Sequence, residues 1–349
     1  MRKFYCICWT IASFNCVAAQ DISQKIDNYL SRKRTFNGSA LVVYKNNILL
    51  YKGYGYKNAL VKTLNDTATV YRIGSVTKPF TAAVILYLEQ KKLLKLNDPV
   101  SLYIPGYPNG DAITIEHLLT HSSGIKDYLE VKIVQEIPDA APPITIEKLI
   151  SYFKDEKQTI RPGEKFSYSN SNYILLAYII EKITGEKYED AVRKIIFNPL
   201  HMDHSGFDFK NLSNPDKATG HTRLTKNIVI TKDFDSTYAP GCGSMYSNAM
   251  DLYKWYKGLY SGEVISDSTR ESAFIPREWL YGYGWFRYTL YGKKCISHPG
   301  GVPGFRTFLQ FFPDDDLFIV LLTNSNVGKA TTDKIASIVF QMPFENSGL

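Results

Sequence analysis

The amino-acid sequence predicts an α/β (α+β) fold, with one antiparallel sheet built from both chain ends, flanking helices, and a helical inserted domain. Strand-like runs occur near both ends, helical apolar spacing fills the middle, and strand signals are sparse between those helices. The length of 349 residues exceeds one typical domain of roughly 100–200 residues. We therefore expect a discontinuous sheet domain at 20–80 and 240–349, and a mainly helical domain at 81–239.

The strand predictions come from apolar, β-branched and aromatic runs bounded by turn residues. A β-hairpin is expected at 39–56 around a turn at Asn46-Asn47. Further strands are expected at 285–290, 294–297, 305–312 and 317–323, with a turn at 313–316. Helical spacing predicts helices at 81–94, 146–153, 173–184 and 188–196, and a closing helix at 330–341.

Composition excludes several classes of protein. Charged residues make up 21% and hydrophobic residues 44% of the chain, which is unlike a disordered, collagen-like or multi-span membrane protein. The formal net charge is +7, but the lysines are scattered, so nucleic acid is not expected as a partner. The expected partner is a small-molecule or peptide substrate, and the oligomeric state stays open.

The first residues have the pattern of a secretory signal peptide. Arg2 and Lys3 precede an apolar stretch at 4–14, and small residues precede a cut expected after Ala19. The apolar stretch is too short to span a bilayer, so no transmembrane span is expected in the mature chain. Residues 1–19 therefore predict export to a periplasmic or extracellular location. A lipid anchor through Cys16 is the less favoured alternative.

Cysteine usage fits an exported chain without a metal site. Of five cysteines, only Cys242 and Cys295 remain after removal of the signal peptide, and the sequence leaves their pairing open. The two histidines of the segment HMDH at 201–204 lack a third well-spaced ligand. We expect no metal and no cofactor.

The first catalytic candidate is a serine–lysine pair, Ser75 and Lys78. Residues three apart share one helix face, about 5–6 Å apart at Cβ, so the amine can reach the hydroxyl. A serine hydroxyl is a weak nucleophile until a base takes its proton, and a partly desolvated lysine can be that base. Pro79 cannot donate to the Ser75 carbonyl, so the helix should begin close by. An exposed serine and lysine without a catalytic role are the alternative.

Two later segments add suitable groups. Tyr168 and Asn170, two residues apart, should lie on the same side of an extended segment, where a phenol can relay a proton and an amide can hold a carbonyl. His298 is followed by Gly300 and Gly301 at the end of a predicted strand. Glycine there allows close approach of a substrate backbone.

In this order, S-x-x-K, Y-x-N and H-x-G, the chain resembles the serine hydrolases that include class C β-lactamases, D-Ala-D-Ala carboxypeptidases and related esterases. The resemblance extends over roughly residues 22–340. Further segments that resemble the family are NDPV at 97–100, IEHLLTHSSG at 115–124, YSNAMDL at 246–252 and YGWF at 283–286. The histidines of the second segment, His117 and His121, are interpreted as architectural.

The resemblance implies a role for each candidate. Ser75 is the acylated nucleophile, and Lys78 and Tyr168 share the acid and base work. Asn170 orients the substrate carbonyl. His298 is expected near the Tyr168 oxygen. The oxyanion hole is expected from the backbone N–H groups of Ser75 and Gly301.

One departure from the family pattern bears on the substrate. Pro299 replaces the threonine usual in K-T-G, and His298 replaces its lysine, so a hydroxyl and a fixed charge are lost. Both changes weaken the case for β-lactam hydrolysis. Arg306 could bind a substrate carboxylate instead, or could be a solvated strand residue. The sequence thus predicts an exported acyl-serine hydrolase of D,D-peptidase or esterase type. The alternatives are a true class C-like β-lactamase and a catalytically inactive binding protein of the same fold.

Overall fold

The computed structural model describes residues 6–32, 36–138, 141–158, 160–224, 227–325 and 331–348, with side chains described from residue 19 onward. Those residues contain ten α-helices. They are α1 (Cys6–Ser31), α2 (Thr77–Gln90), α3 (Ile115–Leu119), α4 (Lys132–Gln135), α5 (Ile146–Ser151), α6 (Asn170–Thr184), α7 (Tyr188–Val192), α8 (Ala249–Ser261), α9 (Asp267–Phe274) and α10 (Thr332–Phe340).

The same residues contain twelve strands. They are β1 (Gly38–Tyr44), β2 (Asn47–Tyr54), β3 (Tyr56–Asn58), β4 (Thr63–Leu64), β5 (Tyr71–Arg72), β6 (His221–Arg223), β7 (Val229–Ile230), β8 (Tyr246–Ser247), β9 (Phe286–Leu290), β10 (Lys293–Val302), β11 (Phe305–Phe312) and β12 (Leu317–Thr323).

Six strands form the main sheet, in the order β2-β1-β12-β11-β10-β9, with every pair antiparallel. The pairing of β1 with β12 joins the two chain ends, from Gly38 opposite Thr323 to Tyr44 opposite Leu317. All seven residues of β12 are buried, as expected for a central strand covered on both faces. The prediction of one antiparallel sheet drawn from both ends is confirmed.

The hairpin turn between β1 and β2 lies one residue earlier than predicted. Lys45 and Asn46 have φ values of 49° and 60°, whereas Asn47 already pairs with Tyr44 as the first residue of β2. A two-residue turn with positive φ at both positions matches the right-handed twist of the strands. Asn46, which tolerates positive φ, therefore occupies the second turn position rather than the first.

Helices cover both faces of the sheet. On one face α1 and α10 bury Ile26, Leu30 and Ile335 against sheet residues that include Ile319. On the other face α8 packs against β1 and β12, and the larger apolar core continues into α2 and α6. The free cysteines Cys242 and Cys295 are buried in different cores, the first in the large helical core and the second under α10.

The predicted helices are present with shifted ends. The helix predicted at 81–94 is α2, which begins at Thr77, so Pro79 lies in its first turn, where the missing N–H costs no hydrogen bond. The helix predicted at 188–196 ends in a π-helical turn, Arg193–Phe197. The closing helix is α10, and its predicted first residue, Ala330, lies outside the described residues.

The N-terminal helix α1 runs through the predicted signal-peptide boundary after Ala19. Within the described ranges, no helix combines the length and apolar character needed to cross a membrane. The signal peptide at 1–19 and the division into domains at 20–80, 81–239 and 240–349 stay predictions.

Candidate active site

Ser75 lies in a 3-10 turn, Gly74–Val76, directly before α2. Gly74 has φ +54°, and a Cβ at this position would lie 2.6 Å from the backbone nitrogen of Gly301. Only glycine therefore allows both the left-handed backbone and the close approach of β10. Thr77 fixes the turn, because its hydroxyl donates to the Gly74 carbonyl at 2.7 Å and accepts from the Met245 N–H at 3.3 Å.

Lys78 is fully buried and its amine connects three groups of the site. Nζ donates to Ser75 Oγ at 3.2 Å, to Asn170 Oδ1 at 2.7 Å and to the Cys242 carbonyl at 3.0 Å. It also lies 4.8 Å from the centroid of the Tyr168 ring. These three protein partners surround the amine, so its N–H groups are used within the site and not on a substrate.

Asn170 is the first residue of α6, and the extended segment expected to contain it ends at Ser169. Tyr168 and Asn170 nevertheless both contact Lys78, on either side of the helix start. The Asp127 carboxylate accepts from the Asn170 backbone N–H at 3.1 Å and from Nδ2 at 2.7 Å. This contact turns Oδ1 of Asn170 toward Lys78 and leaves one Nδ2 proton for a substrate carbonyl.

His121 is buried and hydrogen-bonded, which fits the architectural role that the sequence favoured, and it packs directly against the site. Its ring packs on that of Tyr168, with centroids 4.2 Å apart. Nδ1 accepts from the Ser169 N–H and contacts Asn172 Nδ2, both at 3.2 Å. With Nδ1 as acceptor, the proton of the neutral ring is on Nε2, which is buried without a partner. Burial, helped by the Lys78 charge, lowers the pKa of His121 well below its ordinary value.

His298 is buried and is bound to Tyr281, and its expected position near the Tyr168 oxygen stays a prediction. Nε2 lies 3.0 Å from the Tyr281 hydroxyl, and Nδ1 lies 2.7 Å from the Pro299 carbonyl. Since a carbonyl only accepts, Nδ1 carries the proton and Nε2 accepts from Tyr281. The Tyr281 ring packs edge-on against Tyr168, so it connects the imidazole to the site. Burial and the nearby Lys78 charge lower the pKa of His298 to about 3, so the ring is neutral at pH 7.

The glycines of β10 allow that strand to pack against the 3-10 turn Gly74–Val76, which we call the serine turn. A Cβ on Gly300 would lie 1.9 Å from the Ile73 carbonyl oxygen, so this position accommodates no side chain. Gly301 lies opposite Arg306 in the β10–β11 pairing and lines the same cavity as Ser75. Arg306 itself is exposed, and its Nη1 donates to the carbonyls of Val302 and Phe305.

A cavity of about 310 Å³ opens beside Ser75, and we call it the Ser75 cavity. Besides Ser75 and Asn170, its walls come from three segments, 128–138, 234–243 and 301–303. Lys78, Tyr168, His298 and Arg306 are not part of its lining.

Two residues of the site carry no signal that sequence reasoning recognised. Asp127 binds an asparagine 43 positions later, and Tyr281 binds a histidine 17 positions later. Neither contact follows from a local spacing rule, because strands and loops bring the partners together only in the folded chain. Asp127 follows the family-like segment 115–124 by three residues, so that segment is the nearest signal in the sequence.

The Beta-lactamase family model matches residues 22–340. The chain belongs to the β-lactamase family. It is 34% identical over 305 residues to the putative penicillin-binding protein PbpX of Bacillus subtilis (strain 168), covering 87% of this chain and 74% of that protein.

Solved structures confirm a β-lactamase fold. The octameric penicillin-binding protein homologue from Pyrococcus abyssi is similar with a TM-score of 0.76 and 29% identity, covering 87% of this chain and 73% of that one. The D-amino acid amidase from Ochrobactrum anthropi SV3 is similar with a TM-score of 0.78 and 20% identity, covering 93% of this chain and 97% of that one. At that identity, the second likeness concerns the fold alone. The β-lactamase family consists of serine hydrolases, which agrees with the hydrolase class expected from the sequence.

Proposed function

We propose that this β-lactamase-family chain is an exported serine hydrolase that forms an acyl-enzyme on Ser75 and hydrolyses an amide or ester bond. One observation carries the proposal: Lys78 Nζ lies 3.2 Å from Ser75 Oγ and 2.7 Å from Asn170 Oδ1. A buried amine within hydrogen-bond reach of a serine hydroxyl is suited to activate that hydroxyl as a nucleophile.

In the proposed first step, Ser75 Oγ attacks the substrate carbonyl carbon, and the hydroxyl proton passes to the pair formed by Lys78 and Tyr168. The carbonyl oxygen becomes an oxyanion, which the backbone N–H groups of Ser75 and Gly301 stabilise. Loss of one such donor typically costs about 10²–10³-fold in rate. The pair then protonates the leaving amine or alcohol as its bond to carbon breaks, and the acyl group stays esterified to Ser75.

In the second step, a water molecule attacks the ester carbon of the acyl-enzyme. The same pair takes a proton from the water and returns a proton to Ser75 Oγ, and the carboxylic acid product leaves. Asn170 holds the acyl carbonyl in both steps through the Nδ2 proton that Asp127 does not use.

The site favours a D,D-peptidase or esterase over an efficient β-lactamase. Pro299 offers neither a hydroxyl nor an N–H where the family pattern has threonine. The neutral, buried His298 supplies no positive charge to a substrate carboxylate. A relative named as a penicillin-binding protein favours acylation by penicillin, which is compatible with slow turnover of β-lactams.

A labelling experiment tests the proposal. A fluorophosphonate probe should modify the wild-type protein and Ser268→Ala, a variant of an exposed serine in α9, but not Ser75→Ala. Turnover of p-nitrophenyl acetate, nitrocefin and a D-Ala-D-Ala peptide then separates the reactions. Absence of label on the wild type would contradict the hydrolase and favour an inactive binding protein. Nitrocefin turnover far above the other two would favour a true β-lactamase.

The proposed export depends on residues 1–19. Mass spectrometry of the mature N-terminus from a secreting host should find Gln20 as the first residue. A lipid-modified Cys16 would favour the anchored alternative, and an intact Met1 would contradict export.

A further inference from the structure

The Ser75 cavity is apolar over most of its surface. Leu129, Val134, Ile137 and Val302 contribute aliphatic side chains, and Phe234 contributes an aromatic ring. Leu129 is 51% exposed although it is a large apolar side chain, so it has no partner within the fold that covers it. Apolar surface left open beside a reactive centre provides binding energy for an apolar group of a ligand.

The tyrosines of the cavity wall add apolar surface rather than hydrogen-bond donors. The Tyr128 hydroxyl donates to the Tyr238 carbonyl at 2.8 Å, and the Tyr238 hydroxyl donates to the Pro142 carbonyl at 2.9 Å. Each phenol has one proton, and both protons are already used. The Cys242 thiol is uncharged as well, because burial raises its pKa to about 11.

Asp235 contributes the one charged side chain among the described residues that line the cavity. This carboxylate is buried, and Oδ1 accepts from the Thr237 N–H at 3.1 Å and from its hydroxyl at 2.7 Å. A second carboxylate placed in the same cavity would meet a like charge and would lose its hydration without gaining a cationic partner.

No cationic side chain is among the described residues that line the cavity. Lys78 uses its three donors on protein acceptors, and Arg306 lies outside the lining. Arg72 lies behind Phe234, with its guanidinium 4.2 Å from that ring, and is paired with Asp233 at 2.5 Å, so its interaction with Asp235 is one of charge without a hydrogen bond. A bound carboxylate would therefore find the Asp235 carboxylate, and no cationic partner, among the described residues of the lining.

The position of the cavity decides which part of the substrate enters it. Tyr168, part of the pair that protonates the leaving group in the proposed reaction, is not part of the lining. The leaving group must lie within reach of that phenol, since proton transfer needs a heavy-atom separation of about 2.6–3.2 Å. The cavity lies beside Asn170 and Gly301 and so is left for the acyl group.

We infer, on the basis of the proposed function, that the Ser75 cavity selects substrates whose acyl group is apolar and carries no carboxylate. The substrate class is therefore an amide or ester of an uncharged or cationic apolar acid. Acyl groups that carry a carboxylate are excluded by Asp235.

A matched pair of substrates measures this selection. p-Nitrophenyl hexanoate and mono-p-nitrophenyl adipate have six-carbon acyl groups, and the adipate ends in a carboxylate. We expect kcat/KM for the hexanoate to exceed that for the adipate by about 10²-fold or more, and that for p-nitrophenyl acetate by about tenfold or more. Equal values within either comparison would overturn the inference.

Variants of residues that line the Ser75 cavity test whether the substrate selection depends on this cavity. Leu129→Ser should reduce the advantage of hexanoate over acetate by about three- to tenfold. Its matched control is Ile133→Ser, because Ile133 is 50% exposed in the neighbouring helix α4 and does not line the cavity. Asp235→Asn keeps an acceptor for Thr237 and should raise relative turnover of the adipate by about tenfold. Equal effects of the two serine variants, or no gain with Asp235→Asn, would contradict the inference.

Failure of this inference and failure of the proposed function give different results. If the fluorophosphonate labels Ser75 but kcat/KM is equal for the substrates, the proposed hydrolase activity is supported and the proposed selectivity is contradicted. If no label forms, selectivity is measured by NMR titration of Ser75→Ala with hexanamide and adipamic acid. Preferential binding of hexanamide would then support the selectivity of the cavity, although the hydrolase activity would be contradicted. Equal binding of the two compounds would contradict both proposals.

Discussion

The imidazole ring of His121 packs against the phenol ring of Tyr168, with centroids 4.2 Å apart and planes inclined by 33°. His121 is fully buried and has φ +55°, a left-handed backbone that is uncommon for a residue other than glycine. Strain of this kind persists where the surrounding structure imposes it, commonly beside a reactive centre. The ring thereby limits the positions that the phenol can adopt above Lys78.

Two substitutions of His121 should separate its effect on kcat from its effect on the free energy of unfolding. His121→Asn tolerates positive φ and keeps an acceptor for the Ser169 N–H, but removes the ring beside Tyr168. We expect kcat to fall by about 10- to 100-fold while KM stays within about twofold. His121→Phe keeps a ring but loses the acceptor, and should be less stable by about 1–3 kcal/mol with the smaller loss of kcat. Turnover kinetics and thermal unfolding of both variants check this. A purely structural role would make the less stable variant the less active one.

Asp127 should act on the reaction through Asn170. In Asp127→Asn, the group facing the Asn170 N–H and Nδ2 can become a donor, which removes the contacts at 3.1 and 2.7 Å. Asn170 would then turn away from Lys78, and we expect kcat/KM for p-nitrophenyl acetate to fall by about 10- to 100-fold. Glu130→Gln is the control, since it removes an exposed carboxylate from the same 3-10 turn, Tyr128–Glu130. Similar losses in both variants would indicate a general charge effect and contradict the role of Asp127.

The adjacent glycines Gly300 and Gly301 should differ in their tolerance of alanine. A Cβ on Gly300 would overlap the Ile73 carbonyl oxygen, whereas a Cβ on Gly301 would meet only the mobile end of Arg306, 2.8 Å away. Gly300→Ala should lower the free energy of unfolding by about 2 kcal/mol or more and separate β10 from the serine turn. Gly301→Ala should fold and keep the packing of β10 against the serine turn. Denaturant unfolding and fluorophosphonate labelling of the two variants check this, and equal labelling of both would count against the close packing.

Buried neutral histidine should make stability depend on pH. The pKa of His298 falls from 6.5 in the unfolded chain to about 3 in the fold, so the unfolded chain binds the additional proton between those values. The contribution of the neutral His298 to the free energy of unfolding is therefore fully present above about pH 6.5 and is lost as the pH falls toward 3. In His298→Gln, the slope of unfolding free energy against pH between 4 and 6 should decrease by about 1.4 kcal/mol per pH unit. Denaturant titrations at several pH values check this, and an unchanged slope would mean that His298 is not the neutral group.

The sequence predicted the sheet well because its signals are local. Strands β11 and β12 have the predicted bounds, since each is a continuous apolar run that ends at turn residues. The proximity of Ser75 and Lys78 followed from helical spacing alone. The hairpin turn was shifted because one residue of register decides which asparagine lies in the turn, and composition does not specify register.

The assembly of the site was less predictable, because its contacts join distant segments. Tyr168 and Asn170 could be connected to Ser75 only through the family resemblance. The same resemblance suggested a place for His298 near the Tyr168 oxygen but gave no sign of its contact with Tyr281. The spacing around His298 contained no signal for that partner, since burial among aromatic rings depends on the packing of the whole sheet edge. Asp127 was missed for the same reason.

Because Gly300 packs against the serine turn, the proposed reactivity of Ser75 depends on a strand that is synthesised late. Ser75 and Lys78 leave the ribosome more than two hundred residues before the N–H of Gly301 is made. A growing or truncated polypeptide thus contains the proposed nucleophile and its amine without the second proposed oxyanion donor, and without strands β10 and β11, which contact the serine turn. Acylation is expected only after the C-terminal strands have docked, so an unfinished chain would leave acyl donors in the producing cell untouched.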